Sequence, residues 1–206
     1  MSLSNYADLK AAVATWVNRE DLTSTIPDFI RLAEARIYRV LRVPSLEVTT
    51  SLSISTTTGK ANIPSDFLEA RDLILEGNSK TIQLTRRPYG EVQANANTNN
   101  KGSSVPSDWA RIGQELIVAP FPDAEYTIKL YYYKQLAALS DNNQTNYLTD
   151  QSPDLILFGA LAEAAIYLKD PDMESVWERK FMGALAMIQR SSDMVEWGGN
   201  NFASRA

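Results

Sequence analysis

Neither cysteine nor histidine occurs anywhere in the chain. The first absence excludes disulfides, thiolate zinc sites and thiol nucleophiles together. The second removes the commonest general base and metal ligand. Long hydrophobic runs are missing too. The richest stretch, residues 155–168, is interrupted by Glu163, and a membrane-spanning helix needs about 20 apolar residues. The opening MSLSNYADLKAA lacks the basic-then-apolar order of a signal peptide, so a soluble protein made in a cytoplasm is expected, with no membrane partner. Positive charge is also scarce: 20 Lys and Arg stand against 25 Asp and Glu, a formal net charge of −5. That balance argues against a protein that wraps nucleic acid, because such affinity comes from cations neutralising phosphates. A weakly acidic wall instead lets DNA slide past without sticking. No GxSxG, P-loop, GxGxxG, HExxH or CxxC pattern appears, and no pair of carboxylates announces glycosidase chemistry. The expectation is a non-enzyme with no catalytic residues, cofactor or metal.

What is present is a globular composition, 44% apolar, divided into two kinds of pattern. Asn5, with Asp8 three positions on, caps a first helix whose apolar side is Leu9, Ala12, Val13, Trp16 and Val17. Pro27 sits near the start of a second helix that buries Phe29, Ile30, Ala33, Ile37, Val40 and Leu41 and stops before Pro44. At residue 46 the period changes to the alternation of strands, beginning with LEVTTSLSI and ending in a strand that holds Tyr131, Tyr132 and Tyr133. Helical spacing returns after Ser152-Pro153, with a third helix through Leu168, a Lys169-Asp-Pro-Asp172 turn and a fourth helix carrying Trp177, Phe181, Leu185 and Ile188. Two lone amphipathic helices cannot bury both stripes, so the two ends are expected to meet as one bundle.

The fold expected is therefore α+β: a discontinuous helical bundle from residues 1–45 and 148–192, with an inserted antiparallel β-domain at 46–136. A polar mobile loop is expected at 93–105, a linker at 137–147 and a flexible C-terminal tail at 193–206. Asp141-Asn-Asn-Gln-Thr145 superficially resembles the start of a calcium loop, but Asn146 stands where glycine is required, and a polar linker explains it. Asp170, Asp172 and Glu174 are read as stabilising the start of the fourth helix.

Two groups of residues suggest contacts. At 100° per residue, Arg31, Arg36, Arg39 and Arg42 fall within about 140° of arc, opposite the apolar side of the second helix. They form either a solvated basic face, partly paired with Glu34 and Asp28, or a subunit contact exploiting forked guanidinium hydrogen bonds. Trp197, Phe202 and Arg205, in or beside the glycine-rich tail, are candidate anchors for a partner, since aromatic residues dominate interface hot spots.

Several segments together resemble the head–tail adaptor (connector) proteins of tailed bacteriophages. They are Tyr6-Ala-Asp-Leu, Trp16-Val-Asn-Arg-Glu-Asp-Leu22, the run from Ile26 to Ile37, Ile63-Pro-Ser-Asp-Phe-Leu-Glu69, Leu116-Ile-Val-Ala-Pro120 and Leu130-Tyr-Tyr-Tyr-Lys134. Pro153-Asp-Leu and residues 160–168 extend the likeness into the C-terminal hairpin. The resemblance implies a virion protein at the head–tail junction, assembled as a ring, usually twelve-fold, beneath the portal protein. In that arrangement the bundle is the ring body, Trp197, Phe202 and Arg205 engage the portal, and the β insert reaches towards a tail or stopper protein. DNA passes through without sequence-specific binding. The alternative is a tail-completion or baseplate protein that does not line the DNA channel.

Overall fold

The computed structural model describes residues 3–76, 81–97 and 103–197, and the side chains of 97 and 192–197 lie outside that description. In chain order its elements are α1 (Tyr6–Val17), α2 (Ile26–Val40), β1 (Glu47–Ser53), β2 (Lys60–Asn62), β3 (Phe67–Glu76), β4 (Thr81–Gln83), β5 (Thr85–Arg86), α3 (Tyr89–Asn97), β6 (Asp108–Ile112), β7 (Glu115–Ala119), β8 (Thr127–Lys134), α4 (Tyr147–Gln151), α5 (Pro153–Leu168) and α6 (Pro171–Trp197). The fold is α+β. The chain divides into a helical unit, residues 1–45 with 136–206, and a β unit, Leu46–Gln135.

In the helical unit, local chemistry sets the helix ends. The Asn5 side chain accepts the Asp8 amide at 2.8 Å and donates back to the Asp8 carboxylate at 3.1 Å, closing the first turn of α1. Asn18 ends that helix in the left-handed conformation, φ 52°, with its N–H on Ala14. Helix α5 is apolar on nearly every side, with Leu155, Ile156, Leu157, Ala160, Leu161, Ala162, Ala164 and Ala165 all buried. A helix without a polar face must be surrounded, and α5 packs against α1, α2, α4 and α6. Gly159 makes the closest approach possible, because a Cβ there would lie 2.8 Å from the Ala33 methyl and 3.1 Å from the Phe181 ring.

The β unit consists of two four-stranded sheets, β1-β8-β3-β4 and β2-β7-β6-β5. Leu52, Leu73, Leu75, Trp109, Leu116, Ile128, Leu130 and Tyr132 belong to a single buried cluster drawn from both sheets. The three consecutive tyrosines of β8 alternate as strand geometry requires: Tyr132 is buried while Tyr131 and Tyr133 are half-buried. The Tyr132 hydroxyl donates to Asp66 at 3.0 Å, and burial with that bond pushes its pKa up to about 12. At Gly59, φ is +63° and a Cβ would come within 2.7 Å of Phe121, so the turn into β2 requires glycine.

The structure corrects several expectations. The second sheet is mixed rather than antiparallel, because β5 runs parallel to β6. The chain changes sheets at Leu84, whose side chain is buried and whose N–H bonds Leu73 at 2.9 Å. The polar segment expected to be a mobile loop from 93 is helical as far as Asn97. Val92, the single fully buried residue of α3 among the described side chains, sits among Ala110, Ile117 and Ala119 with Ala96 alongside, which suffices to hold α3 on the second sheet. Residues 98–102 of that loop lie outside the described residues. The segment read as a linker is packed: Leu139 and Leu148 are buried, and Asn146 and Thr149 form a capping box that starts α4. Helix α6 continues five residues beyond the expected limit of 192, to Trp197. Trp16 and Val40, placed on apolar stripes, are both exposed.

Candidate interaction surfaces

The four α2 arginines have different fates. Arg31 and Arg39 are exposed. Arg36 turns inward, donating to Glu163 at 3.0 Å and to both oxygens of Glu178 at 2.6 and 2.7 Å, with its guanidinium 4.6 Å from the Phe181 ring centroid. It thereby ties α2 to α5 and α6. Arg42, half-buried, donates to the carbonyls of Tyr38 and Leu41 at 3.1 and 2.8 Å, closing the end of α2. The pairing expected with Glu34 and Asp28 is therefore replaced, for Arg36, by partners more than 120 residues away. Trp197 is the last described residue of α6, and Phe202 and Arg205 lie outside the described residues.

Glu34 has a role that the basic-face reading did not foresee. It is 2% exposed, the only charged residue in the buried set among the described residues. Its carboxylate accepts from the Leu139 amide at 3.1 Å, the Tyr38 hydroxyl at 3.0 Å and the Asn146 side-chain amide at 3.2 Å. Burial raises its pKa, and these donors only partly offset the effect. The same returning segment accepts the Tyr6 and Ala7 amides through Gln144, at 2.7 and 3.1 Å, and Asp141 pairs with Lys10 at 2.6 Å. Residues 139–146 thus fasten both N-terminal helices. A sequence signal existed: Ile30, Glu34, Ile37 and Leu41 share one helical stripe, and a carboxylate there must find donors.

The helical unit also shows apolar surface. Trp16 of α1, 47% exposed, lies 5.3 Å from the ring of Trp177, which in turn stacks on Phe158 at 6.1 Å. On α6, Met182, Gly183, Ala186 and Met187 are exposed, Met187 at 74%. Exposed Met and aromatic side chains recur at protein–protein contacts because they offer large, adaptable apolar area.

In the β unit, two adjoining hollows of about 180 and 430 Å³ share Ala70, Arg86 and Trp109. Arg86 rests 5.5 Å from the Trp109 ring centroid and Arg111 rests 4.7 Å from that of Phe67. These pairs join residues far apart in sequence, so no local motif announces them. Among the described residues there is no His, Cys, Asp and Glu group able to hold a metal ion, and no helix long and apolar enough to cross a membrane.

Exposed methionines and an exposed tryptophan on the helical unit are the surface of a protein that contacts other proteins. Residues 4–203 match the model of a family described as SU10 adaptor protein, and the chain belongs to that family. It is accordingly a phage adaptor protein, a structural virion component that contacts other phage proteins. No curated protein matches the chain.

Proposed function

We propose that the protein is a head–tail adaptor that binds the portal, closes into a ring and extends the DNA channel towards the tail. Family membership supports this reading, and the exposed apolar face of α6 is the structural observation that carries it. A lone monomer gains nothing by leaving Met182 and Met187 in water beside Gly183 and Ala186. A ring contact of the head-to-tail kind covers one such face per subunit. In this reading the helical unit is the ring body and the β unit faces the tail. The net charge of −5 suits a channel that does not retain DNA.

Arg31 and Arg39 are the arginines available for a subunit contact, since Arg36 is occupied within its own chain. Trp197, Phe202 and Arg205 are proposed as portal contacts. Electron microscopy of the purified protein with a portal ring from the same phage tests the reading. Added density on the portal's narrow end, with matching rotational symmetry, is expected. Charge reversal at Arg31 and Arg39 should weaken ring closure while leaving the fold unchanged by circular dichroism. Absence of binding to a competent portal would favour the tail-completion alternative, in which the protein is recovered from tails that lack heads.

A further inference from the structure

The cleft in the β unit has more chemistry than a gap between sheets requires. Strand β3 pairs with β8 along its length but meets β4 only from Ile74 onward. Strand β6 meets β5 only at Asp108 and Trp109. The first half of β3 and residues 110–112 therefore each have one side without a strand neighbour among the described residues, and the hollows open beside the first half of β3. The bulges between Phe67 and Glu69 and between Ala70 and Asp72 break the regularity of the β3 edge, so only a short segment can pair there.

Side chains supply the rest. Phe67 and Trp109 lie beneath the cleft, Trp109 only 4% exposed, and each is covered by a guanidinium on its face. Neither Arg86 nor Arg111 has a carboxylate partner among the described residues, whereas Arg71 is paired with Glu47 and Arg87 with Asp108. Arg111 spends its Nε on the Gly113 carbonyl at 2.9 Å. Stacking holds a guanidinium plane while leaving outer N–H groups available for a carboxylate. In a protein of net charge −5, a cleft lined by Arg71, Arg86 and Arg111 against Glu69 and Asp72, with no carboxylate on Arg86 or Arg111 among the described residues, is a local reversal of sign.

We infer that this cleft binds a short, extended, acidic segment of a partner protein. Its backbone lies along the first half of β3, and its carboxylates pair with Arg86 and Arg111. A nucleic-acid backbone fits less well, because it has no amide and carbonyl ladder with which to pair along a strand edge. The inference deepens the adaptor reading by giving the β unit a partner of stated chemistry, and it rests on that reading only in taking the partner to be another virion protein.

Fluorescence anisotropy with the full-length protein tests it, using three labelled probes: an octapeptide of alternating Glu and Val, one of alternating Lys and Val, and an eight-nucleotide dT strand. Saturable binding of the acidic peptide is expected, at least tenfold tighter than either other probe. Arg86→Glu and Arg111→Glu should each weaken it at least tenfold, with circular dichroism and portal-ring assembly unchanged. Equal binding of both peptides, indifference to the two substitutions, or preference for the dT strand would overturn the inference. Loss of ring assembly in the wild type with acidic-peptide binding retained would count against the adaptor reading alone.

Discussion

Replacing Glu34 with alanine removes the acceptor shared by Leu139, Tyr38 and Asn146 and leaves a buried amide and hydroxyl unpaired. The expected loss is about 2–3 kcal/mol, measured by urea unfolding of the helical unit. Glutamine is gentler, because its carbonyl can take the place of the oxygen that accepts all three bonds. It also removes a titration. Burial raises the folded-state pKa of Glu34 above the ordinary 4.5, so the native state holds this proton more tightly than the unfolded chain does. The associated stability is fully present below pH 4.5 and is lost as pH rises through the folded value. Glu34→Gln should flatten that decline in a series of unfolding curves taken from pH 4 to 8. Gly159→Ala tests the other tight point of the helical unit. Alanine gains roughly 1 kcal/mol of helix propensity, yet its methyl would sit 2.8 Å from that of Ala33. The overpacking should win, lowering stability by about 1–2 kcal/mol in thermal melts.

Among the elements, those built on a long stripe were legible in advance. Helices α1, α2 and α5 follow from their caps and spacing, and strands β1 and β8 follow from the alternation of LEVTTSLSI and of the segment around Tyr131 to Tyr133. What escaped was structure held by few residues or by distant ones. Among the described side chains of α3 only Val92 is fully buried, too little apolar signal to separate the helix from a polar loop. The α4 capping box was overlooked because Asn146 and Thr149 sit in a polar run that reads equally well as linker. Trp16 leaves about half of its surface open and sets its ring against Trp177, about 160 residues later, which spacing within α1 cannot show. The cleft, too, depends on pairs from separate strands, and strand period says nothing of which edges go unpaired. Val92→Ser should loosen α3 specifically. Amide exchange across residues 89–97 is expected to rise at least tenfold while β7 and β8 keep their protection.

At the scale of the whole molecule, the β unit has its own buried cluster, with Leu73, Leu130 and Leu116 all nearly inaccessible to water. Residues 46–135 expressed alone should therefore fold, giving a strand-type circular dichroism spectrum and one cooperative melt. A featureless spectrum would show that the helical unit is needed to form the sheets. Strands β1 and β8 hold both ends of this unit, and Glu47 lies opposite Tyr133 on neighbouring strands. Directly opposed residues in an antiparallel pair are about 5 Å apart at Cα. The chain thus enters and leaves the β unit at neighbouring positions. A unit whose two ends lie side by side is exchangeable: another with neighbouring ends could take its place without re-registering a helix.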